Sequence, residues 1–218
     1  MGAVRGVRNK RLPRAVRERQ MMDAAVRTFG RRGYRVASMD EIAELAGVSK
    51  PLVYLYLNSK EELFTACIRR EAEALLGAVQ TAIDPDLPAD RQLWAGLNAF
   101  FAHTAENPDG WAVLHRQART HGEPFAREVA AMRDAIVAFV AGLIGAAAAE
   151  ARAARREPEL AARDVAGLAH ALVGAAESLA GWRNEDGEVS AKEAASTLMN
   201  FAWVGLGQLM RGDRWTTR

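Results

Sequence analysis

Nine residues between positions 38 and 60 carry side chains suited to gripping a polyanion and reading its edges: Ser38, Ser49, Lys50, Pro51, Leu52, Tyr54, Tyr56, Ser59 and Lys60. Serine and tyrosine hydroxyls donate to phosphate oxygens, as do the free amides at a helix start, and a lysine adds a point charge. Lysine can also reach guanine in a major groove, and leucine can pack on a thymine methyl. These are recognition chemistries. They need a scaffold that holds Lys50, Pro51 and Leu52 toward base edges while Tyr54, Tyr56, Ser59 and Lys60 meet the backbone.

The local sequence supplies that scaffold. Ser38 followed by Glu41 predicts a capping box that opens a short helix. Ile42 and Ala46 give it one buried stripe, and Ala43 leaves room for a second helix to cross closely. Gly47 suits the left-handed conformation that ends a helix, and Val48 turns inward. Ser49 is placed to cap a second short helix with Pro51 in its first turn. Val53 and Leu57 face the interior of that helix, which leaves Lys50, Leu52, Tyr54 and Tyr56 nearer its outer side. Ser59 and Glu62 form a second capping box for a third, longer helix. Short helix, glycine turn and short helix make a helix-turn-helix, whose second helix fits a DNA major groove. The same pattern also suits a hairpin in an ordinary all-α core, but two capping boxes and a glycine turn at this spacing favour the first reading.

On these residues the chain resembles the TetR family of bacterial transcriptional regulators. The resemblance is carried by Ala24-Ala25, Phe29, Gly33-Tyr34, Ser38-Met39, Ile42-Ala43, Ala46 to Ser49, Val53-Tyr54, Tyr56-Leu57 and Ser59 to Leu63, within a stretch from about Arg14 to Phe64. Leu57 stands where the family usually has phenylalanine, and Leu52 where it commonly has a small or polar residue. The resemblance implies that Ser38 is a phosphate-contacting cap. It also implies that the last two helices pair with their copies as a four-helix bundle, and that the middle helices enclose an effector cavity. Two heads must then meet successive major grooves about 34–36 Å apart, which predicts a near-palindromic operator.

Charge and composition agree with a DNA-binding head. The chain has 218 residues, half of them apolar and 26% charged. Residues 1–60 carry 13 Lys and Arg against 5 Asp and Glu, a net +8, and residues 61–218 carry 16 against 22, a net −6. Cys67 is the sole cysteine, so no internal disulfide forms. Residues 1–13 are basic and lack apolar periodicity, which predicts a flexible arm able to lie along phosphates or enter the minor groove. The N-terminus has no hydrophobic signal region. The most apolar window, Ala135 to Ala149, is too short to span a membrane. The expectation is a cytoplasmic protein.

The domain reading is a basic arm over 1–13, a DNA-binding unit over 14–59 and an effector-binding and dimerisation unit over 60–218. The chain reads as all-α, with about nine helices. The first runs from about Arg14 to Phe29, with Val16, Met21, Ala24, Ala25, Thr28 and Phe29 buried, and is ended by Gly30 and Gly33. The fourth runs from Lys60 to about Ile83, the fifth from about Ala89 to Ala105, and the sixth from Asn107-Pro108 to about His121. A seventh spans about Pro124 to Arg155, and Pro158 separates it from an eighth over about Ala161 to Trp182. Arg183 to Gly187 reads as a turn, and Ser190 with Glu193 caps a ninth helix. Broad apolar faces on the last two helices, among them Leu172, Val173, Leu198 and Leu206, suit either a dimer interface or the subunit's own core.

Trp94, Phe101, Trp111, His115 and Phe139 are the candidates for lining an apolar ligand cavity, with Arg116 or Arg119 available to an anion. Aromatic residues at helical spacing also suit plain core. His115 and His121 do not share a helical face at metal-ligand spacing, and His103 and His170 stand alone. Cys67 has no activating neighbour in sequence, and no phosphate loop or nucleophile elbow occurs. No cofactor, metal or catalytic residue is expected. The function that fits is a ligand-responsive, dimeric transcriptional regulator, a repressor released by a small apolar effector. The alternatives are a DNA-binding protein without an effector and, from another class, an all-α small-molecule enzyme or carrier.

Overall fold

Pro13 has no amide to leave unsatisfied, and its carbonyl accepts from the amides of Val16 and Arg17, so α1 (Arg14–Arg32) begins there. The computed structural model describes residues 13–56, 58–117, 122–153 and 160–210. The predicted arm, Leu57, Arg119, His121 and the Pro158 break lie outside the described residues.

Among the described residues there are nine α-helices and no strand. After α1 come α2 (Met39–Leu45), α3 (Lys50–Tyr56), α4 (Lys60–Ala82) and α5 (Ala89–Glu106). Then follow α6 (Pro108–Ala112), which continues as a wider π-helical turn over Val113–Gln117, α7 (Phe125–Ala153), α8 (Ala162–Asp186) and α9 (Ala191–Met210).

The three serine starts differ in their bonding. Ser190 is reciprocal: its hydroxyl accepts from the Glu193 amide at 3.2 Å, and its own amide donates to the Glu193 carboxylate at 2.8 Å. Ser38 and Ser59 each accept from the amide three residues on, at 3.1 Å. Their glutamates turn elsewhere: Glu41 pairs with Arg32, and Glu62 accepts from the amide and side chain of Asn58.

Four boundaries or faces differ from the sequence reading. Gly30 does not end α1 but lies buried inside it, because the backbone of α6 presses there: a Cβ on Gly30 would stand 2.5 Å from the Asp109 carbonyl oxygen. Gly33, at φ 81°, follows the last turn. Val16 is exposed, and the fully buried positions of α1 begin at Met21. Residues Arg183 to Asp186 complete α8, and Gly187, left-handed at φ 74°, closes it by donating to the Arg183 carbonyl. Helix α7 also departs from expectation: Phe125–Ala151 is long and apolar enough, by length and composition, to cross a membrane. Its alanines raise the hydropathy, and its larger apolar residues face α8 and an internal cavity.

Met21, Ala25, Phe29, Ile42, Val53, Leu63 and Phe64 bury the centre of a three-helix head against the start of α4. Head and body share an aromatic cluster, in which Phe64 lies 4.8 Å from both Phe29 and Phe125 and Tyr34 lies 4.9 Å from Phe125. Beyond it α5 packs on α9 and α7 on α8, with α4 alongside α5.

Candidate nucleic-acid interface

The turn between α2 and α3 is held by backbone bonds. Ala46 and Val48 donate to the carbonyls of Ile42 and Ala43 at 3.0 Å, and Gly47 takes φ 66°, where a side chain would be strained. Val53 is buried to 1% and anchors α3 against the head. At 100° per residue, Pro51 and Leu55 then point most directly away from the core, with Tyr54 and Leu52 flanking them. Observed exposure follows: Lys50, Pro51, Tyr54 and Leu55 are exposed and Leu52 is half-buried. Ser38 and Ser59 cap the helices on either side, the backbone carbonyl of Ser49 accepts from the amides of Leu52 and Val53 in the first turn of α3, and Tyr56 ends α3. The described positions are thus brought to the ends and outer side of the helix-turn-helix.

Leu55, 78% exposed, was missed by the sequence reading. The available signal was its opposition to Val53 across the helix.

Both lysines have local partners. Lys50 Nζ donates to Asp40 at 3.0 Å, and that bond together with the carboxylate charge raises the lysine pKa. Lys60 folds back, its Nζ donating to the Arg35 carbonyl at 3.1 Å and lying 4.9 Å from the centre of the Tyr34 ring. Burial there lowers its pKa. Cys67 is fully buried behind this head, and desolvation pushes its thiol far above the usual range. Among the described residues no cluster of three potential metal ligands occurs.

Behind the head, helices α4 to α9 enclose a cavity of about 260 Å³. Of the five aromatic and histidine candidates, Trp111 and Phe139 stand in its wall. Trp94, Phe101 and His115 do not: Phe101 is buried in the core, Trp94 packs on the core's edge, and His115 stacks on Trp111 at 4.9 Å. Arg116 is exposed and does not line the cavity. The remaining wall is mostly aliphatic, with Leu75, Val79, Leu97, Ile136, Val140 and Leu172 contributing.

A helix-turn-helix head on a larger all-α body with an apolar cavity is the architecture of a class of DNA-binding transcriptional regulators. The sequence pattern described as "Bacterial regulatory proteins, tetR family" matches residues 21–67, and that described as "Tetracyclin repressor-like, C-terminal domain" matches residues 89–205. The chain belongs to the TetR family of transcriptional regulators. It is 31% identical over 203 residues to the HTH-type transcriptional activator FasR of Mycolicibacterium smegmatis, covering 93% of this chain and 88% of FasR. A TetR-like regulator from Rhodococcus sp. RHA1 superposes with a TM-score of 0.75 at 40% identity, over 90% of this chain and 99% of that one. FadR of Bacillus subtilis, solved in complex with stearoyl-CoA, shares the fold at a TM-score of 0.71 and 17% identity, over 85% of this chain and 97% of FadR.

Proposed function

We propose that this chain is a ligand-responsive regulator that binds a near-palindromic operator as a homodimer and leaves it when a small apolar molecule enters the cavity. The single observation that carries the reading is the pairing of an outward-facing α3 with an apolar cavity in one fold. Residues 14–59 form the reading unit and 60–218 the sensing and dimerising unit in this account. Lys50, Pro51, Leu52 and Leu55 meet base edges. Ser38, Ser49, Tyr54, Tyr56, Ser59 and Lys60 meet phosphates, and the arm over residues 1–13 adds charge. Lys50 exchanges Asp40 for DNA, and Lys60 extends from Arg35 to a phosphate.

The partner is a second copy, placed through α8 and α9. The faces read from periodicity are largely consumed inside the subunit, where Leu172, Val173, Ala194, Ala195 and Leu198 are buried. A different set supports the interface: Trp182, Phe201 and Val204 are 51%, 77% and 61% exposed on the same two helices. Large apolar side chains left in solvent together mark an association surface. A dimer on an operator that overlaps a promoter represses by occlusion, and this is the proposed sense of control. The site of action is the cytoplasm.

Effector coupling runs through α6. Trp111 lines the cavity, while Asp109 before it is wedged against the head and Gly110 against α4. Asp109 presses on Gly30 and accepts from Arg31 Nε at 3.1 Å, and Gly110 sits against the Glu71 carboxylate of α4. A ligand that moves Trp111 therefore moves α1 and α4. It can shift DNA affinity only by binding the two states unequally, typically by about 1–3 kcal/mol.

The test is a mobility-shift titration with the DNA upstream of the chain's own gene, with and without cavity ligands. Specific, salt-dependent binding that a ligand weakens is expected. Ligand binding without any change in operator affinity contradicts the effector reading, and specific DNA binding with no cavity ligand at all supports the effector-free alternative.

A further inference from the structure

We infer that the cavity takes one long, unbranched alkyl chain, terminal methyl inward at Trp111 and polar head at the open side. The inference deepens the effector reading above and rests on it for its regulatory meaning.

The shape carries it. Met132, Ile136, Phe139, Leu143, Ala147 and Glu150 of α7 all stand in the wall, at helical spacings of three and four. From Met132 to Glu150 the helix rises about 27 Å at its ordinary rise per residue. A volume of about 260 Å³ whose wall runs along such a length is an elongated slot and not a rounded chamber. The hydrocarbon core of a bilayer, about 30 Å, is two acyl chains end to end. One chain, about half of that, fits the slot with room for its head.

The ends of the slot differ in kind. Leu75, Leu97, Trp111, Leu172 and Ala176 form a buried inner end. Pro85, Ala146 and Glu150, all exposed, mark the open side. A methyl terminus buried inward loses nothing polar, whereas a carboxylate or thioester there would be desolvated without partners. Trp182, Phe201 and Val204 are absent from the wall, although Trp203 and Leu206 of the same α9 stand in it, so the slot and the surface proposed for the second copy share that helix.

The test uses the full chain and calorimetric titration with decanoate, laurate, myristate, palmitate and stearate below their micelle concentrations. Palmitoyl-CoA distinguishes a thioester head from a free acid, and deoxycholate is the compact control. Affinity should rise about fourfold per added methylene, the fold-change expected for burying one CH2 group, and then level off. Deoxycholate should not compete. Because Trp203 also stands in the wall, the quenching is read in a Trp203→Phe background. There palmitate brominated at its terminal carbon should quench tryptophan fluorescence more than palmitate brominated beside the carboxylate, and adding Trp111→Phe should remove most of that difference. Ala176→Leu should move the plateau to shorter chains. Tighter binding of palmitate or of its thioester supports the inference equally and assigns the head. Affinity indifferent to chain length, deoxycholate binding as well as palmitate, or quenching independent of bromine position would overturn it. If no alkyl compound binds but another class of compound releases the operator, the slot assignment fails while the regulator reading stands. If alkyl compounds bind as described without changing operator affinity, the reverse holds.

Discussion

At the scale of single residues, the two lysines of the head differ in what DNA must displace. Lys50 is held by an exposed carboxylate, whose attraction is screened and weak. Removing that carboxylate also removes a negative charge from the surface proposed to face phosphates. Asp40→Asn is therefore expected to tighten DNA binding a few-fold at low ionic strength, with the gain fading as salt rises, measured by fluorescence anisotropy. Lys60→Ala should weaken binding to every sequence alike and flatten the salt slope by roughly one unit. Leu52→Ala should change which sequence is preferred, at about 1–3 kcal/mol per misread base pair. Were both variants to alter only thermal stability, α3 and the start of α4 would not face DNA.

At the scale of elements, the decisive contact is α6 against α1. A methyl on Gly30 meets the Asp109 backbone, not a flexible side chain, so one helix must shift. Gly30→Ala is expected to cost about 1–3 kcal/mol, as overpacking does. Arg31→Ala removes an exposed ion pair to the same residue and should cost no more than about 1 kcal/mol. Thermal denaturation decides the order, and a larger loss for Arg31→Ala would place the junction in the ion pair instead of the close approach. Much of this scale was legible in the chain itself. Ser38, Ser59 and Ser190 act on amides three residues away, and Gly47 sets the turn by its own φ, so their pattern announces helix starts and turns. Gly30 could not be read in that way, because the atoms that make it necessary belong to Asp109, far along the chain. The aromatic residues failed for a related reason: periodicity says that Phe101 and Phe139 turn inward, but not which of them meets a neighbour and which meets space. Trp111 and Phe139 meet the cavity, whereas Phe101 meets core.

At the scale of the whole molecule, a head of net +8 over residues 1–60 sits on a remainder of net −6. Such asymmetry draws the basic end to a duplex and turns the acidic end away. One head reads few base pairs, and the proposed dimer would hold two at the duplex repeat. Phe201→Asp places a charge in the apolar surface proposed to hold them. It should yield a monomer by sedimentation, with a folded head but without tight operator binding. A dimer that survives this change would move the interface elsewhere.

The most direct measurement varies the distance between the two half-sites of the operator. If two linked heads read successive major grooves, inserting about five base pairs, half a helical turn, should reduce affinity to that of an isolated half-site. Affinity unchanged by that insertion would contradict a pair of heads held at a fixed spacing.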